Sequence, residues 1–401
     1  MIEGGLWCFE GKRILLLQGP VGPFFQRLSW DLRKAGATVF KLNFNGGDWL
    51  FYPTDATPFQ GTPEIWPEYF ERYLLIKRIE LVMLFGDCRP LHRVAHEICL
   101  KHRVEVGVFE EGYVRPDFVS FERFGVNDNS LLPRNPRFYL KRKVVRYQLP
   151  LKVGNAFWYA VTWAMIYNTA STLLRGAFPH YQHHRTLTVT EGLLWLRSLW
   201  RKIYYSSTER GIQEKLLDKQ GPRYFLVPLQ VHNDAQIQQH SAFEDVEDFI
   251  VDVMGSFAKH ADPKVVLVFK HHPLDRGCRD YTALITHAAQ VLGLEGRVYY
   301  IHDQHLPTLI KNALGVVVIN STVGLSSIGH RVPVKTCGQA LYNIEGMVYP
   351  GSLDEFWKNP VRGDHKLYRK FRNFLVRTTQ LNGNFYRRLP LTNSESGIQW
   401  M

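Results

Sequence analysis

The sequence predicts an α/β protein made of two doubly wound, Rossmann-like domains facing a cleft. Three observations predict it. At 401 residues the chain is longer than one hydrophobic core usually organises. Short continuous apolar runs, the pattern of strands buried on both faces, recur at 13–18, 38–43, 81–85 and 104–109, then at 224–229, 265–269, 298–301, 315–319 and 332–335. Helix-like stretches separate the runs, and that alternation belongs to parallel strands joined by crossovers. The expected division is an α/β domain over 1–150, a helical and basic connecting region over 151–221, a second α/β domain over 222–350, and a helical tail over 351–401 that packs back on the first domain.

In the first domain, the strand at 13–18 leads through Gly19-Pro20-Val21-Gly22-Pro23 into a helix that Gly36 ends. This turn is not GxGxxG, and two prolines restrict it, so a dinucleotide site is a weak reading. A tight turn and a loop whose N–H groups touch substrate both fit it. After the strand at 38–43 comes Asn43-Phe44-Asn45-Gly46-Gly47-Asp48-Trp49. Asn43, Asn45 and Asp48 could hydrogen-bond a polyol, or simply build an Asx-rich turn. The strand at 104–109 delivers Glu110-Glu111-Gly112, two carboxylates at a strand's carboxyl end and so candidates for a general acid or base. Like charges side by side tend to raise one pKa, while Arg115 offers the alternative of a salt-bridged loop.

Residues 134–146 are basic with interleaved aromatics, and 153–174 carry no charge. The uncharged stretch has the length of a bilayer span, but Asn155, Thr162, Asn168, Thr169, Ser171 and Thr172 make a poor lipid-facing one. An interfacial helix docked on anionic lipid and a core helix with a solvated basic flank are both open.

The second domain carries the pattern that matters most. The run at 265–269 ends in Lys270-His271-His272-Pro273, and that at 315–319 ends in Asn320-Ser321-Thr322 followed by a helix. Ligands of open α/β sheets sit beyond the carboxyl ends of strands. A cationic strand end beside one rich in N–H and O–H donors makes a phosphate clamp. Gln230-Val231-His232-Asn233-Asp234 follows the first strand of this domain.

Composition narrows the partners. Hydrophobic residues make up 45% and charged residues 21%, enough apolar material for real cores. Lys and Arg number 49 against 37 Asp and Glu, a net charge of +12. That balance favours an acidic partner: nucleic acid, a phosphorylated substrate or an anionic membrane. No zinc-finger spacing or basic repeat supports nucleic acid. Five scattered Cys without a CxxC pair point to a reducing compartment and no structural metal. The N-terminal residues lack the pattern of a secretory signal, so a cytoplasmic protein is expected.

The blocks ILLLQGPVGPFFQRL and KLNFNGGDWLFYP resemble the N-terminal signature of the KpsS/LipB group of capsular polysaccharide biosynthesis proteins. Glu110 to Gly112, Gln230 to Asp234, Lys270 to Pro273 and the block at 320–327 resemble those shared with the related KpsC-type proteins. The resemblance implies a GT-B-like fold and a β-Kdo transferase that moves the first Kdo from CMP-Kdo to phosphatidylglycerol or its lyso form. That would be the first step of the linker for an exported capsule. It implies no cofactor, a peripheral place on the inner face of the cytoplasmic membrane, and other capsule proteins as partners. Bacterial sialyltransferases of the same architecture carry a D/E-D/E-G and an HP motif, and by resemblance to these Glu111 is the acid/base, with Glu110 beside it. His272 of the HP motif, Ser321 and Thr322 hold the CMP phosphate, with Lys270 and Gln230 near it. Asp234 is the nucleophile of a retaining reaction. His271 stands where the group more often has proline, and His232-Asn233 where it has a more acidic pair; His271 is grouped with Asn43, Asn45 and Asp48 as an acceptor or sugar contact. The alternatives are an inverting transferase of the same fold, which needs no Asp234 nucleophile, and a non-catalytic export or assembly scaffold that binds lipid-linked glycan.

Overall fold

The computed structural model describes residues 5–147, 149–181, 189–390 and 392–400. In chain order the strands are β1 (Arg13–Leu16), β2 (Thr38–Asn43), β3 (Thr57–Pro58), β4 (Leu81–Phe85), β5 (Glu105–Glu111) and β6 (Phe118–Arg123). They continue with β7 (Tyr224–Pro228), β8 (Val266–Lys270), β9 (Val298–Ile301), β10 (Gly315–Val318), β11 (Val334–Thr336) and β12 (Gln380–Asn382). The chain divides into two compact units. One comprises Met1–Leu132, Val145–Leu187 and Phe374–Met401; the other comprises Pro133–Val144 and Thr188–Asn373.

The first unit is built on a sheet of order β12-β6-β5-β4-β1-β2-β3. Its five strands β1 to β5 run parallel, with Leu15 between Phe40 and Val82. Side chains alternate along these strands, so the sheet separates two cores. Ile14, Leu16, Val39, Met83 and Phe109 face the helix Phe24–Lys34 and its Phe24, Leu28 and Leu32. Leu15, Leu17, Leu42, Val82, Val106 and Val108 face Trp66, Phe70 and Leu74 of the helix Trp66–Ile76, and Ala95 and Cys99 of the helix Pro90–Lys101. Burial on both sides explains the unbroken apolar runs. The antiparallel edge is what the sequence pattern left out: β6 returns along β5, and β12 pairs with β6. Phe385 and Ile398 then enter the same core as Phe24.

Two expectations change here. The strand expected to stop at residue 109 runs on through Glu111, because β6 supplies a partner as far as Glu111↔Val119. The loop expected at 43–49 is half helix: Gly46–Phe51 is helical, with Asn45 as its N-cap accepting the Asp48 N–H at 2.9 Å. The turn after β1 is shaped by packing. A Cβ on Gly19 would stand 2.8 Å from the Phe25 ring, and Gly22, at φ +102°, lies against Trp163.

The second unit holds a wholly parallel sheet, order β11-β10-β7-β8-β9. Phe225, Val227, Leu267, Phe269 and Val317 on one face pack against the helix Val246–His260 through Phe249, Ile250, Val253 and Phe257. Leu226, Val268, Val316 and Val318, on the opposite pleat, are also buried. Phe356 and Trp357 of the helix Leu353–Lys358 join the first of these cores. The stretch 151–221 is shared between the units: the helix Phe157–Leu173 belongs to the first, and the helices Val189–Thr208 and Ile212–Leu217 to the second. Among the described residues, no helix is long and apolar enough to cross a membrane.

Candidate active site

Each sheet reverses its strand order once, between β1 and β4 in the first unit and between β7 and β10 in the second. Such switch points open a crevice beyond the carboxyl ends of the strands. In both units a glutamine two residues past the first strand ties the switch point together.

In the first unit that residue is Gln18. Its Oε1 accepts from Arg89 Nη1 at 2.8 Å, and its Nε2 donates to the Tyr181 and Tyr167 hydroxyls at 2.7 and 3.0 Å. Arg89 follows β4, and its guanidinium lies over the Phe85 ring. Beside it stand the two carboxylates of β5. Because strand side chains alternate, Glu110 follows Val106 and Val108 onto one face of the sheet, and Glu111 follows Phe109 onto the other. Glu110 Oε1 accepts the Glu111 N–H at 2.9 Å, and Glu111 Oε1 accepts the Tyr386 hydroxyl at 3.1 Å. Burial is the main cause that pushes the Glu110 carboxyl up to about 7; the charges of Glu111 and Asp87 add to it, and the Glu111 N–H and Arg89 oppose it. The sequence pointed to the neighbouring charge as the cause, and that charge is secondary. Tyr386, half-buried against Glu111, has its phenol pushed well above the usual range, first by desolvation and then by the Glu111 charge.

Asn43, Asn45 and Asp48 lie together in the interior of this unit. Asn43 Nδ2 donates to the Tyr52 carbonyl at 2.9 Å. Asp48 accepts the Tyr167 hydroxyl at 2.7 Å and the Phe44 N–H at 3.0 Å. Asn45 Nδ2 donates to the Tyr167 hydroxyl at 2.8 Å. The polar atoms of Asn45 and Asp48 seat the helix Phe157–Leu173 on the sheet end, while Asn43 ties down the end of the helix Gly46–Phe51.

In the second unit Gln230 plays the joining part. Its Nε2 donates to Asn320 Oδ1 and to Asp234 Oδ2, each at 3.0 Å, and its Oε1 accepts the Asn320 N–H at 3.3 Å. Asp234 therefore sits at the switch point, directly before the helix Ala235–His240. Ser321 caps the helix Thr322–Gly329 by accepting the Val323 N–H at 3.2 Å, so Thr322 and the first-turn N–H groups lie at the end of β10. Tyr342 packs where Gly324 lacks a Cβ and donates to the Ser321 carbonyl.

Lys270 closes β8 and is buried; its Nζ donates to the His302 carbonyl at 2.9 Å. Burial lowers its pKa, with Asp303 opposing. His272 caps the turn that follows: Nδ1 accepts the Leu274 N–H at 3.2 Å, which leaves the neutral ring's proton on Nε2, a donor suited to an anion. His271 is an interior residue, 2% exposed. Its Nδ1 meets the Tyr300 hydroxyl at 2.6 Å, and burial, then the nearby His302, pushes its pKa down to about 3, so the ring is neutral. His232, in the place of an expected acidic residue, is paired with the fully buried Asp275 through Nδ1 and, at 2.9 Å, through its backbone N–H.

Sequence reading missed several of these groups. Asp87 and Arg89 follow the end of β4, next to the end of β5 that carries Glu110, and position alone was the available signal. Tyr386 lies in the tail, far from Glu111 in sequence. Glu209 and His302 form a buried pair that no spacing announces.

Comparison with known proteins agrees with the sequence blocks. Residues 80–386 match the family described as capsule polysaccharide biosynthesis protein. The Escherichia coli capsule polysaccharide export protein KpsS is 39% identical over 94% of this chain and 97% of its own. The capsule polysaccharide modification protein LipB of Neisseria meningitidis serogroup B is 37% identical over 96% of this chain and 94% of its own. Among solved structures, the Thermosulfurimonas dismutans KpsC β-Kdo 2,4 transferase aligns over 96% of this chain and 95% of its own, at 11% identity and a TM-score of 0.45. By the extent of the family match and the identity to its relatives over nearly their whole length, the chain belongs to the capsule polysaccharide biosynthesis protein family.

Proposed function

We propose that the chain is a retaining β-Kdo transferase that moves the first Kdo from CMP-Kdo to phosphatidylglycerol or lysophosphatidylglycerol, beginning a capsule linker at the cytoplasmic membrane surface. One observation carries the reading. The strand ends of the two units differ in chemistry: two carboxylates in the first, one with its pKa raised to about 7, and in the second a set of donors with the Asp234 carboxylate among them. A glycosyl transfer needs both kinds of group. The donor and acceptor identities rest on the sequence blocks and on family membership.

In this reading the second unit takes the donor. Breaking the glycosidic bond of CMP-Kdo leaves charge on the CMP phosphate. Lys270, the His272 Nε2–H, Ser321, Thr322 and the N–H groups at the start of the helix Thr322–Gly329 stabilise that charge. Asp234 attacks the anomeric carbon, and Gln230 holds its carboxylate. The first unit takes the acceptor. Glu111, oriented by Tyr386, is the acid/base toward the acceptor hydroxyl. Glu110, on the opposite face of the sheet, accepts the Glu111 N–H and so fixes the backbone that presents Glu111.

The test is a transfer assay with CMP-Kdo and fluorescent lysophosphatidylglycerol, products read by mass. A gain of one Kdo supports the reading, and the anomeric form of the product decides retention against inversion. A second reading is favoured by the name of the E. coli relative, an export protein: the chain is a non-catalytic scaffold for lipid-linked glycan. Neither product nor CMP binding would move the assignment there.

A further inference from the structure

The helix Phe157–Leu173 has two faces of different character. One is seated on the first unit. Tyr167 hydrogen-bonds Gln18, Asn45 and Asp48, and Ser171 accepts the Gly47 N–H at 3.0 Å. Trp163 donates to the Tyr386 carbonyl at 3.0 Å and meets the Phe51 ring edge-on. The other face is bare. Trp158, Met165 and Leu173 are 69%, 58% and 78% exposed, and Ile166 is also exposed. With Thr162, Thr169 and Thr172 they recur at three- and four-residue spacing, so they form one stripe along the helix. The stripe has no charge.

Along the chain, the charges that flank it are of one sign. Between Asp128 and Glu191 the sequence has no acidic residue, while Lys and Arg recur. Within the first unit, Arg146 and Lys152 are exposed before the helix and Arg175 just after it. Arg387 lies over the Tyr159 ring and donates to the Asn155 carbonyl at 3.1 Å, beside the helix N-terminus. An uncharged stripe with a tryptophan at one end and cations at both ends has the make-up of a helix lying in a bilayer interface. At 17 residues it is about 25 Å long by the α-helical rise, short of the ~30 Å of a hydrocarbon core.

We infer that this stripe is a docking surface for an anionic lipid bilayer, with Trp158, Met165, Ile166 and Leu173 entering the interface and Arg146, Lys152, Arg175 and Arg387 meeting headgroup phosphates. The inference deepens the proposed reaction, since it places the unit that takes the lipid acceptor on the membrane. It does not need that reaction in order to be tested.

The full chain is sedimented with vesicles of phosphatidylcholine alone and with vesicles of phosphatidylcholine and phosphatidylglycerol in equal parts. Binding is expected to the anionic vesicles only, and to weaken as salt rises. Joint Trp158→Ser and Leu173→Ser substitution should lower that binding ~10-fold. Ile76→Ser, at a comparably exposed position on the same unit, should leave it unchanged. Joint Lys152→Glu and Arg175→Glu should remove the preference for anionic vesicles. No binding to anionic vesicles, or equal binding by the Trp158/Leu173 variant, overturns the surface. Vesicle binding without transfer would count against the reaction alone. Transfer to dispersed lysolipid without vesicle binding would count against the surface alone.

Discussion

Glu209 holds His302 at two points. Its Oε1 pairs with His302 Nδ1 at 2.5 Å, and its Oε2 accepts the His302 backbone N–H at 2.9 Å. The ring is sandwiched against Tyr205, with centroids 3.4 Å apart and planes 4° from parallel. The His302 carbonyl then receives Lys270 Nζ. A carboxylate at the end of the helix Val189–Thr208 thus fixes the strand-end loop after β9, and through it the ammonium that closes β8.

Glu209→Ala leaves a buried N–H and a buried ring nitrogen without their acceptor. We expect it to destabilise the fold by about 3 kcal/mol, visible as a lower urea midpoint. It should also weaken CMP binding, because the Lys270 partner is no longer held. Glu209→Gln keeps the shape and should do less on both counts. A Glu209→Ala midpoint equal to that of the native chain would show that the clamp contributes nothing.

Glu110 makes stability depend on pH in a stated direction. Its carboxyl is raised to about 7 in the folded chain from an ordinary 4.5. Between those values the folded state keeps a proton that the unfolded state has lost. Stability from this group is therefore full below about pH 4.5 and falls as pH rises through about 7. Glu110→Gln cannot ionise. It should be more stable than the native chain at pH 8, by roughly 1–3 kcal/mol, and should show no such gain at pH 5. Thermal melts at the two pH values measure it. An equal difference at both would mean that Glu110 is not held protonated by its site.

Much of this architecture is legible in the sequence, for a physical reason. Parallel strands covered on both faces must be apolar throughout, so 81–85 coincides with β4; 298–301 coincides with β9, an edge strand whose residues are mostly half-buried but still apolar or aromatic. The strand ends were legible for the same reason, and Lys270, Asn320 and Ser321 fall at them. The antiparallel edge was not: β12 has three residues, and its partner β6 lies more than two hundred residues earlier. The fate of Asn43, Asn45 and Asp48 was not legible either. A polar, glycine-rich stretch reads alike whether it faces solvent or satisfies a buried tyrosine, and only the position of Tyr167 decides. Glu110 and Glu111 read as a pair in sequence, and the pleat separates them.

Tyr167 is the hub that joins three elements of the first unit. Its hydroxyl donates to Asp48 and accepts from Gln18 and Asn45. Tyr167→Phe removes one oxygen and leaves a buried carboxylate and two amides short of a partner. A loss of about 2–4 kcal/mol is expected. Loosening should start at the helix Phe157–Leu173, so hydrogen exchange there should rise before exchange in β1 or β4. Uniform loss of protection across the unit would argue that the helix is not a separable element.

Asp234→Asn tests the chemistry itself. The substitution keeps size and the contact with Gln230, so CMP binding, which depends on Lys270, His272 and the Ser321 end of β10, should stay within about twofold of the native chain. A double displacement needs an ionised carboxylate at the anomeric carbon, and an amide cannot form the glycosyl intermediate. Turnover should fall by a factor on the order of 10³ or more. Glu111→Gln should also slow turnover, through the acid/base role, without removing CMP affinity. The two variants separate the mechanisms. Loss in both fits retention with Asp234 as nucleophile. Loss in Glu111→Gln with full activity in Asp234→Asn leaves a single displacement, in which Glu111 alone activates the acceptor and the product carries inverted configuration.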